Sequence, residues 1–247
     1  ILSTIEEQGK RTPELQKRIE DTWNSTELED IYMPYKPKRR TRAMVAREKG
    51  LEPLAKFIMA QQSGDVGHQA VQYINKEKGV ETEDDAIKGA LDILAEEICE
   101  NERARNVVRK NFSFDAVISS KVVKGKEEEG MKFRDYFDFS EKLSRCASHR
   151  LLAMRRGEAE GFLKVSIGND GICMERLTRS FVRGRGEASN HVADAIADSF
   201  KRLLKPSIET EFAQSSKEKA DEEAIRIFVR NLEQLLMSAP LGQKRVL

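Results

Sequence analysis

The chain has 247 residues, 39% of them hydrophobic and 34% charged, with 43 Lys+Arg against 42 Asp+Glu. This is enough for one large domain or two modest ones, and the near-zero net charge exerts no global pull toward nucleic acid, anionic lipid or acidic substrates. No apolar run approaches the roughly 18 residues that cross a bilayer and no basic-then-apolar signal opens the chain, so a cytoplasmic protein without membrane contact is expected.

Apolar residues recur mostly at three- and four-residue intervals, which predicts a mainly α chain with several helices and one small β-hairpin. An opening at Ile1 within a helical pattern reads as a piece of something larger. Thr12-Pro13-Glu14 has the chemistry of a helix start, after which Leu15, Ile19 and Trp23 share a face. Thr26 and Glu29 have capping-box spacing, and Pro34 should stop the helix they begin. Short helices follow at 41–49, ending on Gly50, at 53–60 and at 66–75, completing a compact subdomain over 1–75. A longer helix is predicted from about Asp84 to Glu102, with Ile87, Leu91, Leu94 and Ile98 in a stripe. Eight acids over 83–102 against the single Lys88 are expected to form a solvated face.

Helical patterns resume at 102–112, 131–137, 141–146 and 148–156, the last capped by Ser148 and closed by Gly157. Phe114 to Val123 is β-branched enough to be extended. Leu163, Val165 and Ile167 alternate with Lys164 and Ser166, and Gly168-Asn169-Asp170-Gly171 supplies turn residues. Ile172 to Leu177 is then expected to return as the second arm of a hairpin near 162–177. A helix through Val192, Ile196, Phe200 and Leu204 should stop at Pro206, and a last one over 217–237 should bury Ala224, Ile225, Phe228, Leu232 and Leu235. These pieces form a helical scaffold over 76–240.

Chemical motifs are sparse. Cys99, Cys146 and Cys173 are odd in number and far apart, against a disulfide framework and for a reducing compartment. His68, His149 and His191 stand in no recognised metal motif, and no phosphate loop, nucleophile elbow or dinucleotide fingerprint occurs. No enzyme activity, metal or cofactor is expected. The sharpest local signal is electrostatic: Lys36, Lys38, Arg39, Arg40, Arg42, Arg47 and Lys49 face only Glu48, with Tyr32, Pro34, Tyr35 and Pro37 alongside. Cations on a stiff segment can neutralise phosphates, and aromatics can stack on bases. Equally, the same charges can pair with the acidic 83–102 helix or with another domain. A second, looser basic group is Arg145, Arg150, Arg155 and Arg156, and a third is Arg179, Arg183 and Arg185.

The run Leu28-Glu29-Asp30-Ile31-Tyr32-Met33-Pro34-Tyr35-Lys36-Pro37-Lys38-Arg39-Arg40-Thr41-Arg42-Ala43 closely resembles the bacterial Tex family of transcription accessory proteins. So, in family order, do Lys121-Val122-Val123-Lys124-Gly125-Lys126, Phe133-Arg134-Asp135-Tyr136, Ser148-His149-Arg150-Leu151-Leu152-Ala153 and Ala220-Asp221-Glu222-Glu223-Ala224-Ile225. The resemblance implies a fragment: an N-terminal helical region with a helix-turn-helix-like part, whose 241–247 stretch leads into an RNase H-like domain. Helix-hairpin-helix motifs and an OB-fold RNA-binding domain follow in the family. It also implies transcription as the process, and as partners RNA or DNA met through the full-length protein, the transcription machinery and the protein's own RNase H-like and OB-fold domains. It assigns no catalytic residue to this stretch. Two readings of the chain follow, a helical scaffold that docks against the nucleic-acid-binding domains, which is favoured, and a direct nucleic-acid binder using the 36–49 segment.

Overall fold

A computed structural model describes residues 1–37, 40–62, 64–239 and 242. Among the described residues the chain is predominantly helical with one small antiparallel sheet. It divides into two compact units, the first of Ile1–Asn111 with Asp170–Ile208 and the second of Phe112–Asn169 with Glu209–Leu247.

The first unit is organised around the helix Glu83–Glu100. Thr82 accepts a hydrogen bond from the Asp85 N–H while the Asp85 carboxylate accepts from the Thr82 N–H, a capping box that starts the helix. The helices Arg42–Glu48, Glu52–Ala60, Val66–Val71 and Glu187–Ser199 all pack on it. Four neighbours need close approach, and the small residues Ala86, Ala90 and Ala95 are buried there beside Ile93, Leu94 and Ile98. Gly89 is part of the same device, because a Cβ at that position would lie 2.3 Å from Leu51 Cδ1. The expected stripe is therefore displaced: Ile93 joins Leu94 and Ile98 inside while Ile87 and Leu91 are only half-buried. Nor is the acidic face wholly solvated, since Glu96 is buried.

A smaller cluster joins Ile5, Ile19 and Ile31, with Leu15, Leu28 and Tyr35 against it. Thr12 caps the helix Pro13–Asp21 as expected. Trp23, expected on its buried face, lies beyond the helix end and is 96% exposed. The next helix, Ser25–Tyr32, is capped by Asn24, whose side chain accepts from the N–H groups of Thr26 and Glu27, so the Thr26 cap is corrected by two residues. After Ser199 a π-helical turn over Phe200–Leu204 widens the backbone, and the chain continues directly into the helix Lys205–Leu236. Pro206 does not stop it, because the widened turn that precedes Pro206 accommodates a ring and a missing N–H that a regular α-turn would not.

The second unit holds the sheet, in order β2-β1-β3 from β1 (Val117–Val122), β2 (Asp138–Lys142) and β3 (Leu163–Gly168). The expected strand over 163–168 is present, but its partner is β1, with Ile118 opposite Ile167 and Ser120 opposite Val165. The expected second arm is instead the helix Asp170–Phe181, whose buried Cys173 and Leu177 are four residues apart, a helical spacing. The 141–146 helix is likewise replaced by the end of β2 and a 3-10 turn over Leu143–Arg145. The helix Ser148–Ala159 has no side-chain cap, and Gly157 lies buried inside it rather than closing it. A Cβ there would meet Leu163 Cδ1 at 2.6 Å, so the helix crosses β3 at contact distance. In the last helix Ile225, Phe228, Leu232 and Leu235 are exposed, contrary to the buried face expected of them. Apart from Gly242, the 241–247 lead-in lies outside the described residues.

Candidate basic surface

The segment rich in Lys and Arg is held at both ends. Upstream, the 3-10 turn Met33–Tyr35 follows the helix Ser25–Tyr32, and Lys36 then turns extended, as Pro37 requires of the residue before it. Downstream, Thr41 Oγ1 accepts from the Met44 N–H at 3.1 Å and caps the helix Arg42–Glu48. That helix buries Ala43 and Ala46 and packs on Glu83–Glu100, which brings Arg47 to the acidic helix.

There Arg47 Nη1 donates to Glu96 Oε2 at 2.8 Å and Nη2 to Glu97 Oε1 at 3.5 Å. Burial opposes the guanidinium charge, yet the two carboxylates outweigh it and its pKa is raised. Arg40 pairs with Glu48 at 3.0 Å, and Lys49 Nζ donates to the Gly79 carbonyl at 2.8 Å. Tyr35 is no open stacking platform: its ring is half-buried against the isoleucine cluster, Lys10 Nζ stands 5.9 Å from the ring centre, and its carbonyl accepts from Gln8. Lys36 and Arg42 are exposed, while Lys38 and Arg39 lie outside the described residues. Arg42, Lys49 and Lys88 share a cleft of about 250 Å³ with Asp85 and Asp92. Burial raises the Asp92 carboxyl above its ordinary range, although Arg202 and Arg42 pull it down.

The other basic groups are also drawn to acids. Arg150 reaches Glu141 at 3.2 Å and stands over the Phe139 ring, Arg155 pairs with Glu158 at 2.7 Å, and Arg179 pairs with Glu175. Arg145, Arg156, Arg183 and Arg185 are exposed. Sequence reasoning missed the most deeply held charges. Asp30, on the helix before the basic segment, accepts from Arg105 Nε at 2.6 Å and pairs also with Arg109, and Arg105 donates onward to Ser207. No local spacing could have joined residues 75 apart.

Burial pushes the thiols of Cys99, Cys146 and Cys173 up, the last to about 11, which leaves them protonated at neutral pH. Among the described residues no helix is long and apolar enough to cross a membrane.

Comparison with known proteins bears on the same stretch. A family model described as Tex central region-like matches residues 61–228. The chain is 39% identical over 262 residues to Protein tex of Bordetella pertussis, covering all of this chain and 33% of that protein. It is 43% identical over 253 residues to Protein YhgF of Escherichia coli, covering 98% of this chain and 33% of that protein. S1 RNA-binding domain-containing protein 1 of Homo sapiens is 31% identical over 258 residues, of which the chain covers 25% of the length. The chain thus spans about a third of the bacterial relatives it matches.

Proposed function

The chain belongs to the Tex family, and from that premise we propose that it is a non-catalytic, cytoplasmic helical scaffold supporting nucleic-acid binding in transcription by a longer protein. In this reading the 36–49 segment is a docking surface for the protein's own RNase H-like and OB-fold domains or for the transcription machinery, and the helix-turn-helix-like N-terminal helices present it. The observation that carries the reading is the seating of Arg47 on Glu96 and Glu97. Cations already paired within their own unit are poor candidates for releasing counterions from a phosphate backbone. The name of a human relative as an S1 RNA-binding domain protein supports nucleic acid as the partner of the whole molecule.

Replacement of Lys36, Arg40 and Arg42 by Gln is the test. The slope of log K against log salt for duplex DNA binding by this chain is expected to stay unchanged, while a full-length Tex protein carrying the same changes is cleaved faster between its domains under limited proteolysis. A slope that flattens by two or more would make the segment a direct phosphate binder, since each phosphate no longer neutralised removes roughly 0.9 from the slope.

A further inference from the structure

The three-stranded sheet has two unlike faces. Ile118, Ser120, Leu163, Val165 and Ile167 are buried on one. The other carries Lys121 and Lys164 at one end, a row of serines across the middle (Ser140, Ser119 and Ser166, paired in register), and Lys142 at the far end. Alternation along the strands places all six on this side, and all are exposed except the half-buried Ser119.

Lys121 and Lys164 are directly opposite each other across an antiparallel pair, an arrangement that is destabilising unless something anionic lies over it. Asp138 is in register with Lys121 on its other side but forms no ion pair with it among the described residues. Lys142 reaches Asp115 at 3.4 Å. The Ser119 and Ser166 hydroxyls share one hydrogen bond of 2.8 Å, in which only one of the two protons is used. The edge of β3 is already occupied, because the Val165 and Ile167 N–H groups donate to the carboxylates of Glu158 and Glu209. An added strand therefore has no free edge at β3.

We propose that this face docks double-stranded RNA across its minor groove, with Lys121 and Lys164 on phosphates and the serine row on 2′-hydroxyls. The lysine pair lies two residues along the strands from the serine row, about 7 Å, so only short hydroxyl side chains stand beside it. Such a flat polar surface fits the wide, shallow A-form minor groove and its 2′-hydroxyls, whereas it has nothing long enough in the middle to enter the narrow minor groove of B-DNA. The face presents no aromatic ring, so stacking on single-stranded bases has no platform. The proposal rests on the scaffold reading in one respect: it places RNA contact by this chain on this sheet instead of on residues 36–49.

The experiment is fluorescence anisotropy of this chain across a KCl titration, with an RNA duplex of about 20 base pairs, the DNA duplex of the same sequence and the single-stranded RNA. Lys121→Gln with Lys164→Gln should flatten the duplex-RNA salt slope by roughly one to two, with an unchanged or slightly higher melting temperature once the lysine repulsion is gone. Lys164→Glu, which places opposite charges across the strands with no acid in register beside it, should raise the melting temperature and weaken the same binding. Ser119→Val with Ser166→Val should reduce the preference for RNA over DNA duplex. An unchanged slope in the double lysine variant, equal binding of the two duplexes by the parent chain, or preference for the single strand would each overturn the proposal. The Lys36, Arg40 and Arg42 variant run alongside separates the two ideas: a flattened slope there sinks the scaffold reading, whatever the sheet variants do.

Discussion

Two helices with equally periodic apolar stripes meet opposite fates in this protein. Glu83–Glu100 is enclosed by four other helices, and seven of its residues are buried. The last third of Lys205–Leu236 carries Ile225, Phe228, Leu232 and Leu235 at coiled-coil spacing, yet every residue from Glu222 to Leu236 is exposed, Phe228 at 64%. The difference lies in the intervening residues. Ala86, Gly89, Ala90 and Ala95 let neighbouring backbones approach the first helix closely, whereas the second carries large residues between its stripe positions, Arg226, Ile227, Val229, Arg230 and Asn231. An amphipathic stripe shows that a helix can be covered, and small residues around it show that several neighbours can do the covering.

Mutations sharpen that contrast, and the largest effect belongs to the buried ion cluster on the enclosed side. Asp30→Asn should cost about 3–5 kcal/mol, because Arg105 is left buried without its counter-charge, seen as a large fall in urea midpoint. Leu94→Ala should cost about 2–5 kcal/mol by opening a cavity in the centre of the first unit, measured the same way. Thr82→Ala removes the cap of the same helix and should cost about 1 kcal/mol. The Asp85 half of that cap titrates: its hydrogen bond with Thr82 holds the Asp85 carboxyl below the ordinary carboxylate range. A depressed acid stabilises the fold above its unfolded-state pKa and loses that contribution as pH falls through the folded value. The stability gap between parent and Thr82→Ala should therefore narrow below about pH 4. Phe228→Ala should change stability by no more than about 0.5 kcal/mol, and a loss as large as that of Leu94→Ala would erase the contrast.

What the sequence makes legible follows the range of each interaction. The helix over 83–100, the cap at Thr12 and the strand at 163–168 rest on neighbours within a turn or two, and all three are present. The partner of that strand could not be read, because Ser119 and Ser166 lie 47 residues apart and alternation names a strand without naming what pairs with it. Reading Ile172 to Leu177 as a strand fails for a related reason: a short apolar run has too few residues to separate a period of two from one of 3.6, and the segment is helix. At the basic segment the charges were plain, and pairing with the acidic helix was one of two readings open. The choice of Arg47 depended on Ala43 and Ala46 turning that helix face inward. The Asp30 cluster gave no sequence signal, since each member reads as an ordinary surface charge on its own helix.

Anchoring of the basic segment on the acidic helix within its own unit is tested by a double-mutant cycle between Arg47 and Glu96. Arg47→Gln, Glu96→Gln and the double variant would be compared by urea denaturation. The 2.8 Å partly buried pair predicts a coupling within the roughly 0.5–3 kcal/mol found for contacting residues. A coupling indistinguishable from zero would show Arg47 free of the acidic helix and available to phosphates, contradicting the account.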